Sequence, residues 1–146
     1  MTDRLREDLC DLPLLDVAAK IRARQISPVD VTKSVLARID ALDDTFNAFV
    51  TVLAEQALDD ARKAEREIVA GRYRGPLHGV PVSVKDLFAT QGVRTTAGSR
   101  VLANHIPDHD ATIVERLRLA GAIIVGKTNM LRYGTQNAPN PAVLLV

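Results

Sequence analysis

The sequence predicts an α/β fold, and three observations carry the prediction. Val80, Val82 and Val84 alternate with Pro81, Ser83 and Lys85, the period of a strand that turns three valines to a core and Ser83 with Lys85 to the other face. Residues 122–125, Ala-Ile-Ile-Val, form a short and wholly apolar run of the kind buried on both faces of a parallel sheet. Segments with apolar residues at helical spacing lie before and between these strands. Strand, loop, helix and strand in that order predict a right-handed crossover that sets the two strands side by side or close together, with neighbouring C-terminal mouths.

The remaining elements follow in order. Leu14, Val17, Ala18 and Ile21 fall on one helical face, with Asp16, Lys20 and Arg22 on the polar side. A second helix opens with Ser27 as cap, Pro28 at the first helical position and Asp30 in the first turn, where the helix dipole favours an anion. Its buried stripe is predicted to be Val31, Val35, Ile39 and Leu42, with Asp43 and Asp44 ending it. Residues 46–52 carry the β-branched and aromatic cluster of a strand. Ala57, Ala61, Ala64 and Ile68 define the inner side of a helix over about 53–70, closed by Gly71 in a left-handed cap. Its charged outer face over 59–67 reads as a solvated surface with weak ion pairs. Asp110 is expected to cap a last helix in which Ile113, Val114, Leu117 and Ala120 face inward and Gly121 ends the turn. Residues 137–141 read as a loop and residues 142–146 as an apolar, strand-like piece that needs a partner on this chain or another.

At 146 residues the chain can bury one real core, and its 47% apolar and 25% charged content is ordinary for a soluble globular protein. Nineteen Lys and Arg against eighteen Asp and Glu give a net charge of +1, which offers no electrostatic footprint for nucleic acid or an acidic membrane. The single cysteine, Cys10, can build neither a disulfide framework nor a thiolate metal site within the chain. The charged N-terminus lacks the pattern of a signal peptide, and no uncharged run reaches the ~20 residues of a membrane helix. A cytoplasmic protein is the expectation.

Lys85 is the candidate for chemistry. An ammonium brought to the end of an apolar strand is expected to lose water, which favours the neutral amine that can act as a base. The loop over 92–99, rich in glycine and hydroxyls, is suited to close approach by a ligand. Ser83 shares the Lys85 face, but strand neighbours two apart lie roughly 6.5–7 Å from each other, a poor geometry for a nucleophile and its base. Residues 121–128 match the phosphate-loop pattern Gly-x-x-x-x-Gly-Lys-Thr. The context is wrong, because a helix precedes the segment and its middle residues are strand-forming. His105 and His109 flank Pro107, so they need not converge on a metal, and His78 reads as a hydrogen-bonded loop residue.

Four separated segments carry a resemblance. Gly-Pro-Leu-His-Gly-Val-Pro-Val-Ser-Val-Lys-Asp-Leu (75–87), Thr-Thr-Ala-Gly-Ser (95–99), Asp-Ala-Thr-Ile-Val-Glu-Arg-Leu (110–117) and Gly-Ala-Ile-Ile-Val-Gly-Lys-Thr-Asn-Met (121–130) resemble, in order and spacing, successive motifs of the amidase signature family. The likeness covers about residues 11–134. It implies a mixed α/β/α sheet and hydrolysis of carboxylic amides by a serine nucleophile, a bridging serine on a cis peptide and a lysine base, with no metal and no organic cofactor. By resemblance Lys85 matches the lysine, and Ala97, Gly98, Ser99, Thr128, Asn129 and Met130 match segments near the substrate cleft.

The departure from the family pattern is as informative as the match. The family's Gly- and Ser-rich segment, which bears both catalytic serines and the oxyanion-hole amides, follows the Lys-Thr-Asn-Met motif, and these 146 residues contain no such segment. The resemblance therefore implies one N-terminal portion of an amidase domain, helical over 1–45 and α/β over 46–134, with an unmatched tail over 135–146. A base without nucleophile or oxyanion donors keeps little rate enhancement, so the chain alone is expected to be inactive. Two other readings stay open. One is a fragment of the A subunit of a tRNA-dependent, glutamine-hydrolysing amidotransferase, which resembles Lys-Asp-Asn where this chain has Lys85, Asp86 and Leu87. The other is a non-catalytic interaction module whose exposed edges bind a complementing C-terminal segment or a second copy.

Overall fold

The structure is a computed structural model that describes residues 9–130. The tail strand expected over 142–146 lies outside those residues. After a short 3-10 turn, Leu9–Asp11, come helices α1 (Leu14–Arg22) and α2 (Pro28–Phe46), strand β1 (Phe49–Val52), helix α3 (Ala54–Val69), strand β2 (Pro81–Lys85), helix α4 (Thr112–Leu119) and strand β3 (Ile123–Thr128). The sheet is mixed, with order β1-β3-β2. β3 runs parallel to β2 and antiparallel to β1.

The apolar alternation of β3 sorts the helices onto two faces. Ile123 and Val125 pack with Ala57 and Ala61 of α3 and the inner residues of α2, whereas Ile124 packs with Val84 of β2 and Val114 of α4. Successive residues of a strand face opposite ways, so this division produces an α/β/α layering with β3 at its centre. Its burial on both faces explains why its sequence carries no polar alternation. A third cluster, Val17, Ala18, Ile21, Val31, Ile68 and Val80, joins α1 and α2 to the residue just before β2. Val80 thus serves a different cluster from Val84, with Val82 half-buried beside the latter.

Local signals account for the start of α2 and the end of α3. Ser27 Oγ accepts from Val29 N–H at 2.9 Å and donates to Glu65 Oε1 at 2.5 Å, so the cap of α2 also ties it to α3. At the end of α3, Gly71 adopts φ +81°, and Arg72 N–H closes on Glu67 O at 2.9 Å. The four inward residues of that helix, Ala57, Ala61, Ala64 and Ile68, are all buried.

Several local expectations are corrected. α2 does not stop at Asp43 and Asp44 but at Asn47 in a left-handed conformation, with Asp43 Oδ1 accepting from Ala48 N–H and Phe49 N–H at 2.7 and 3.1 Å. Asp43 therefore ties the helix exit to β1. Asp110 does not cap α4. Its carboxylate accepts from Gln91 N–H at 2.7 Å and faces Arg118 Nε at 3.0 Å, which docks the preceding loop onto the helix. Leu14, Leu42 and Ile113, expected to face inward, are exposed by 45%, 42% and 45%, each in the first or last two turns of its helix.

Gly126 shows why one glycine of the phosphate-loop pattern is present. A Cβ there would come within 2.5 Å of Thr51 O and 2.8 Å of the Phe49 ring, where β1 is bulged against β3. Only glycine permits that approach of the two backbones. The segment is strand, and the pattern is explained by packing.

Candidate active site

The C-terminal ends of β2 and β3 are level. Lys85 is paired with Thr128 in the parallel register: the strands start level at Pro81 and Ile123, and a one-residue irregularity between Val82 and Ser83 moves the pairing from Lys127 to Thr128 at their ends. The chain then leaves both strands on the same side of the sheet, where the remaining residues singled out by resemblance gather. Asp86 O accepts from Ala97 N–H at 2.9 Å, which brings the 95–99 loop back against the residue that follows Lys85. Asp86 N–H donates to Thr128 O at 3.0 Å. A Cβ on Gly98 would stand 3.8 Å from Met130 Cβ. The corner thus unites Lys85, Thr128, Met130 and the loop containing Ala97, Gly98 and Ser99, although these lie in three separate parts of the sequence.

The loop has an unusual backbone. Ala97 and Gly98 both have positive φ, +50° and +66°. For alanine this is a sparsely populated conformation that the surroundings must impose. The restraints are present: Thr96 N–H and its hydroxyl both donate to Asp86 Oδ2, Thr96 Oγ1 accepts from Gly98 N–H at 3.2 Å, and Ser99 N–H donates to Thr96 O at 2.9 Å. Ser99 Oγ accepts from Val101 N–H at 3.2 Å and so caps the next turn.

One expectation at this corner changes. Lys85 is exposed, so the desolvation expected at a buried strand end is not supplied by the described residues. Asn129, next to Thr128, has Nδ2 donating to Asn47 O at 3.0 Å and Oδ1 accepting from Met130 N–H at 2.9 Å. Its amide braces the exit of α2 against β3.

A second lysine, which the sequence pattern does not single out, lies close by. Lys127, one residue before Thr128, is fully buried, and its ammonium donates to Phe88 O at 2.6 Å, Thr90 Oγ1 at 2.9 Å and Thr95 Oγ1 at 2.8 Å. Burial holds its pKa below the ordinary lysine value, against the opposing pull of the Asp86 and Asp110 carboxylates. The inward course of this side chain removes it from any phosphate-loop role. The signal for it lay in the apolar run 122–125: a strand buried on both faces that ends in lysine requires a counter-charge, and Asp86 follows the neighbouring strand.

The three histidines stand apart from this corner or on its surface. His78 is buried at the opposite, N-terminal end of β2, where Nδ1 accepts from Arg74 N–H at 3.1 Å and Nε2 lies 3.2 Å from Glu67 Oε2. It is the hydrogen-bonded loop residue expected. His105 and His109 are exposed, and His109 Nδ1 is 2.8 Å from Asp108 Oδ1. Cys10 Sγ is half-buried and 3.1 Å from Ser34 Oγ. No helix of the described residues is long and apolar enough to cross a membrane.

Comparison with known proteins places this geometry. The family model described as Amidase matches residues 30–140. The A subunit of glutamyl-tRNA(Gln) amidotransferase from Geobacter sp. (strain M21) is 47% identical over 122 residues, which are 84% of this chain and 25% of that protein. Its counterpart in Anaeromyxobacter dehalogenans (strain 2CP-C) is 48% identical over 124 residues, 85% of this chain and 25% of the relative. Among solved structures, the peptide amidase of Stenotrophomonas maltophilia superposes with a TM-score of 0.76 at 39% identity, over 82% of this chain and 25% of that one. A bacterial aryl acylamidase of the amidase signature family gives 0.77 at 30% identity, over 84% and 26%. The chain spans about a quarter of the length of the relatives it matches. With the family model covering most of its residues and its α/β/α layers superposing on those enzymes, the chain belongs to the amidase signature family.

Proposed function

We propose that this chain is the lysine-bearing portion of an amide hydrolase, in which Lys85 is the acid/base residue and Ala97, Gly98, Ser99, Thr128, Asn129 and Met130 border the substrate. The observation that supports this reading is the meeting of those residues at one open corner of the sheet, beside the ammonium. In such an enzyme Lys85 takes a proton from a bridging serine, which takes one in turn from a second serine as that serine attacks the amide carbon; the proton returns by the same route to the departing amine, and water then releases the acyl group from the serine. The serines and the oxyanion donors come from sequence beyond these residues, and by themselves the 146 residues do not turn over amides. The chemistry uses no metal and no organic cofactor.

A second reading within the family is favoured by the curated relatives, which are amidotransferase A subunits at 47–48% identity, against 30–39% for the amidases of solved structure. In that case the substrate is glutamine, ammonia is the product passed on, and the protein works with partner subunits. Co-purification with such subunits separates this reading from a free-standing amidase.

The proposal is tested by joining this chain to the remainder of the Geobacter protein, in place of the matching quarter, and measuring release of ammonia from glutamine and from simple carboxamides. The fusion is expected to hydrolyse amides and the chain alone is not. Turnover by the purified chain alone, lost on Lys85→Ala, would overturn the claim that the nucleophile comes from elsewhere.

A further inference from the structure

Asp86 directly follows Lys85, and all but one of its polar atoms is bonded to a different part of the chain. Its N–H reaches Thr128 O, its C=O receives Ala97 N–H, and Oδ2 receives both the N–H and the hydroxyl of Thr96. Oδ1 has no hydrogen-bond partner among the described residues and faces Lys127 Nζ at 3.8 Å. An ammonium has three protons, and those of Lys127 are spent on Phe88 O, Thr90 Oγ1 and Thr95 Oγ1. Its hold on Asp86 is therefore Coulombic.

Both side chains are buried, at 0% and 1% exposure. An apolar pair of similar volume would satisfy packing without the desolvation that two buried charges carry. What the charged pair adds is direction. It joins the end of β2, the turn through Phe88 and Thr90, the loop at Thr95 and Thr96, and β3 at one point beneath the corner where Lys85 emerges.

We propose that Asp86 and Lys127 are positioning residues for Lys85: their buried ion pair fixes the backbone immediately after Lys85 together with the left-handed turn at Ala97 and Gly98, so that the amine and the turn keep one relative placement. The inference rests on Lys85 being the acid/base residue, and its test lets the two ideas fail separately. Neither Asp86 nor Lys127 touches substrate.

The test neutralises both members together, as Asp86→Asn with Lys127→Met, which avoids stranding a lone buried charge. In the 146-residue chain, hydrogen exchange at the Thr96 and Ala97 amides, whose acceptors belong to Asp86, is expected to quicken at least ~10-fold, while the amides of Ala57 and Ala61 in α3 stay within about twofold. No change at Thr96 and Ala97, or an equal change everywhere, would overturn the proposal. If the double variant fails to fold, Thr96→Val carries the same measurement with a smaller expected effect, roughly threefold at Ala97. In the fusion enzyme the double variant is expected to lower kcat roughly 10- to 100-fold with KM within about twofold, because misplacing a catalytic group acts on the chemical step. An unchanged kcat per folded molecule would reduce the pair to a structural role and overturn the proposal. A fusion inactive with all residues unaltered counts against Lys85 as base, and the exchange data then decide the positioning alone.

Discussion

At the end of the sheet where β2 and β3 begin, His78 is buried with both ring nitrogens engaged, and Arg74 donates to both Glu67 oxygens at 2.8 and 2.7 Å. Where the same strands finish, Lys127 and Asp86 are equally buried, but one carboxylate oxygen has no hydrogen-bond partner among the described residues and Lys85 stands exposed above them. At the first, closed end the polar side chains satisfy one another. The second, open end is braced from below by the buried pair, with Lys85 exposed above it. Buried polar groups that satisfy one another stiffen a scaffold, whereas the partly satisfied set lies beneath the exposed cation at which the active site is proposed.

The largest expected effect falls on the open end. Lys127→Met alone leaves Asp86 as an unpaired buried charge and should cost about 3–5 kcal/mol in urea unfolding, with most of the loss recovered when Asp86→Asn is added. A small loss without recovery would mean that the pair is solvated and would remove the distinction between the two ends.

The closed end is probed next through Gly121, whose φ is +82° and whose added Cβ would meet His78 Cδ2 at 2.4 Å. Gly121→Ala should destabilise by about 2–4 kcal/mol, combining overpacking against His78 with the left-handed backbone penalty. Gly92→Ala isolates the backbone part: φ is +73° with nothing within 4 Å of the new atom. Its loss should be about 1 kcal/mol. Equal losses at the two glycines would show that His78 is not tightly seated.

Acid should loosen the closed end first. Burial, reinforced by the Arg74 charge and only partly offset by Glu67, holds the His78 pKa below its ordinary value of 6.5. The unfolded chain therefore takes up the proton before the folded one, and stability present at neutral pH is lost as the pH falls from 6.5 toward the folded value. Glu67 acts in the same sense at lower pH. Burial raises its pKa, but the Arg74 hydrogen bonds and charge, with His78 and Lys63, bring it below 4.5, so a further loss follows beneath that point. The urea midpoint should decline as the pH falls below 6.5 in the unaltered chain and much less in His78→Asn.

How much of this was legible in the sequence depended on the range of the interaction. Ser27 and Pro28 act on their own helix, and Ala57, Ala61, Ala64 and Ile68 repeat at its period, so residue types and spacing sufficed for them. The parallel pairing of β2 with β3 followed from element order, and the meeting of Lys85 with Thr128 and the 95–99 loop followed from resemblance. Asp110 and Asp43 have local bonding choices as caps or helix ends, and contacts from distant loops or a neighbouring strand decided against them. Lys127 was harder to find because, although the apolar run before it hints at burial, the four groups that receive its ammonium lie between 32 and 41 residues away.

The smallest expected stability change is at the residue proposed as the acid/base group. Lys85 is exposed, and Lys85→Ala should alter unfolding by less than about 0.5 kcal/mol. The direct test is the rate of amide hydrolysis by the fusion enzyme carrying that substitution. A loss of roughly 10²- to 10⁴-fold with unfolding unchanged is the outcome expected of a proton-transfer group. Hydrolysis at the unaltered rate would contradict the assignment.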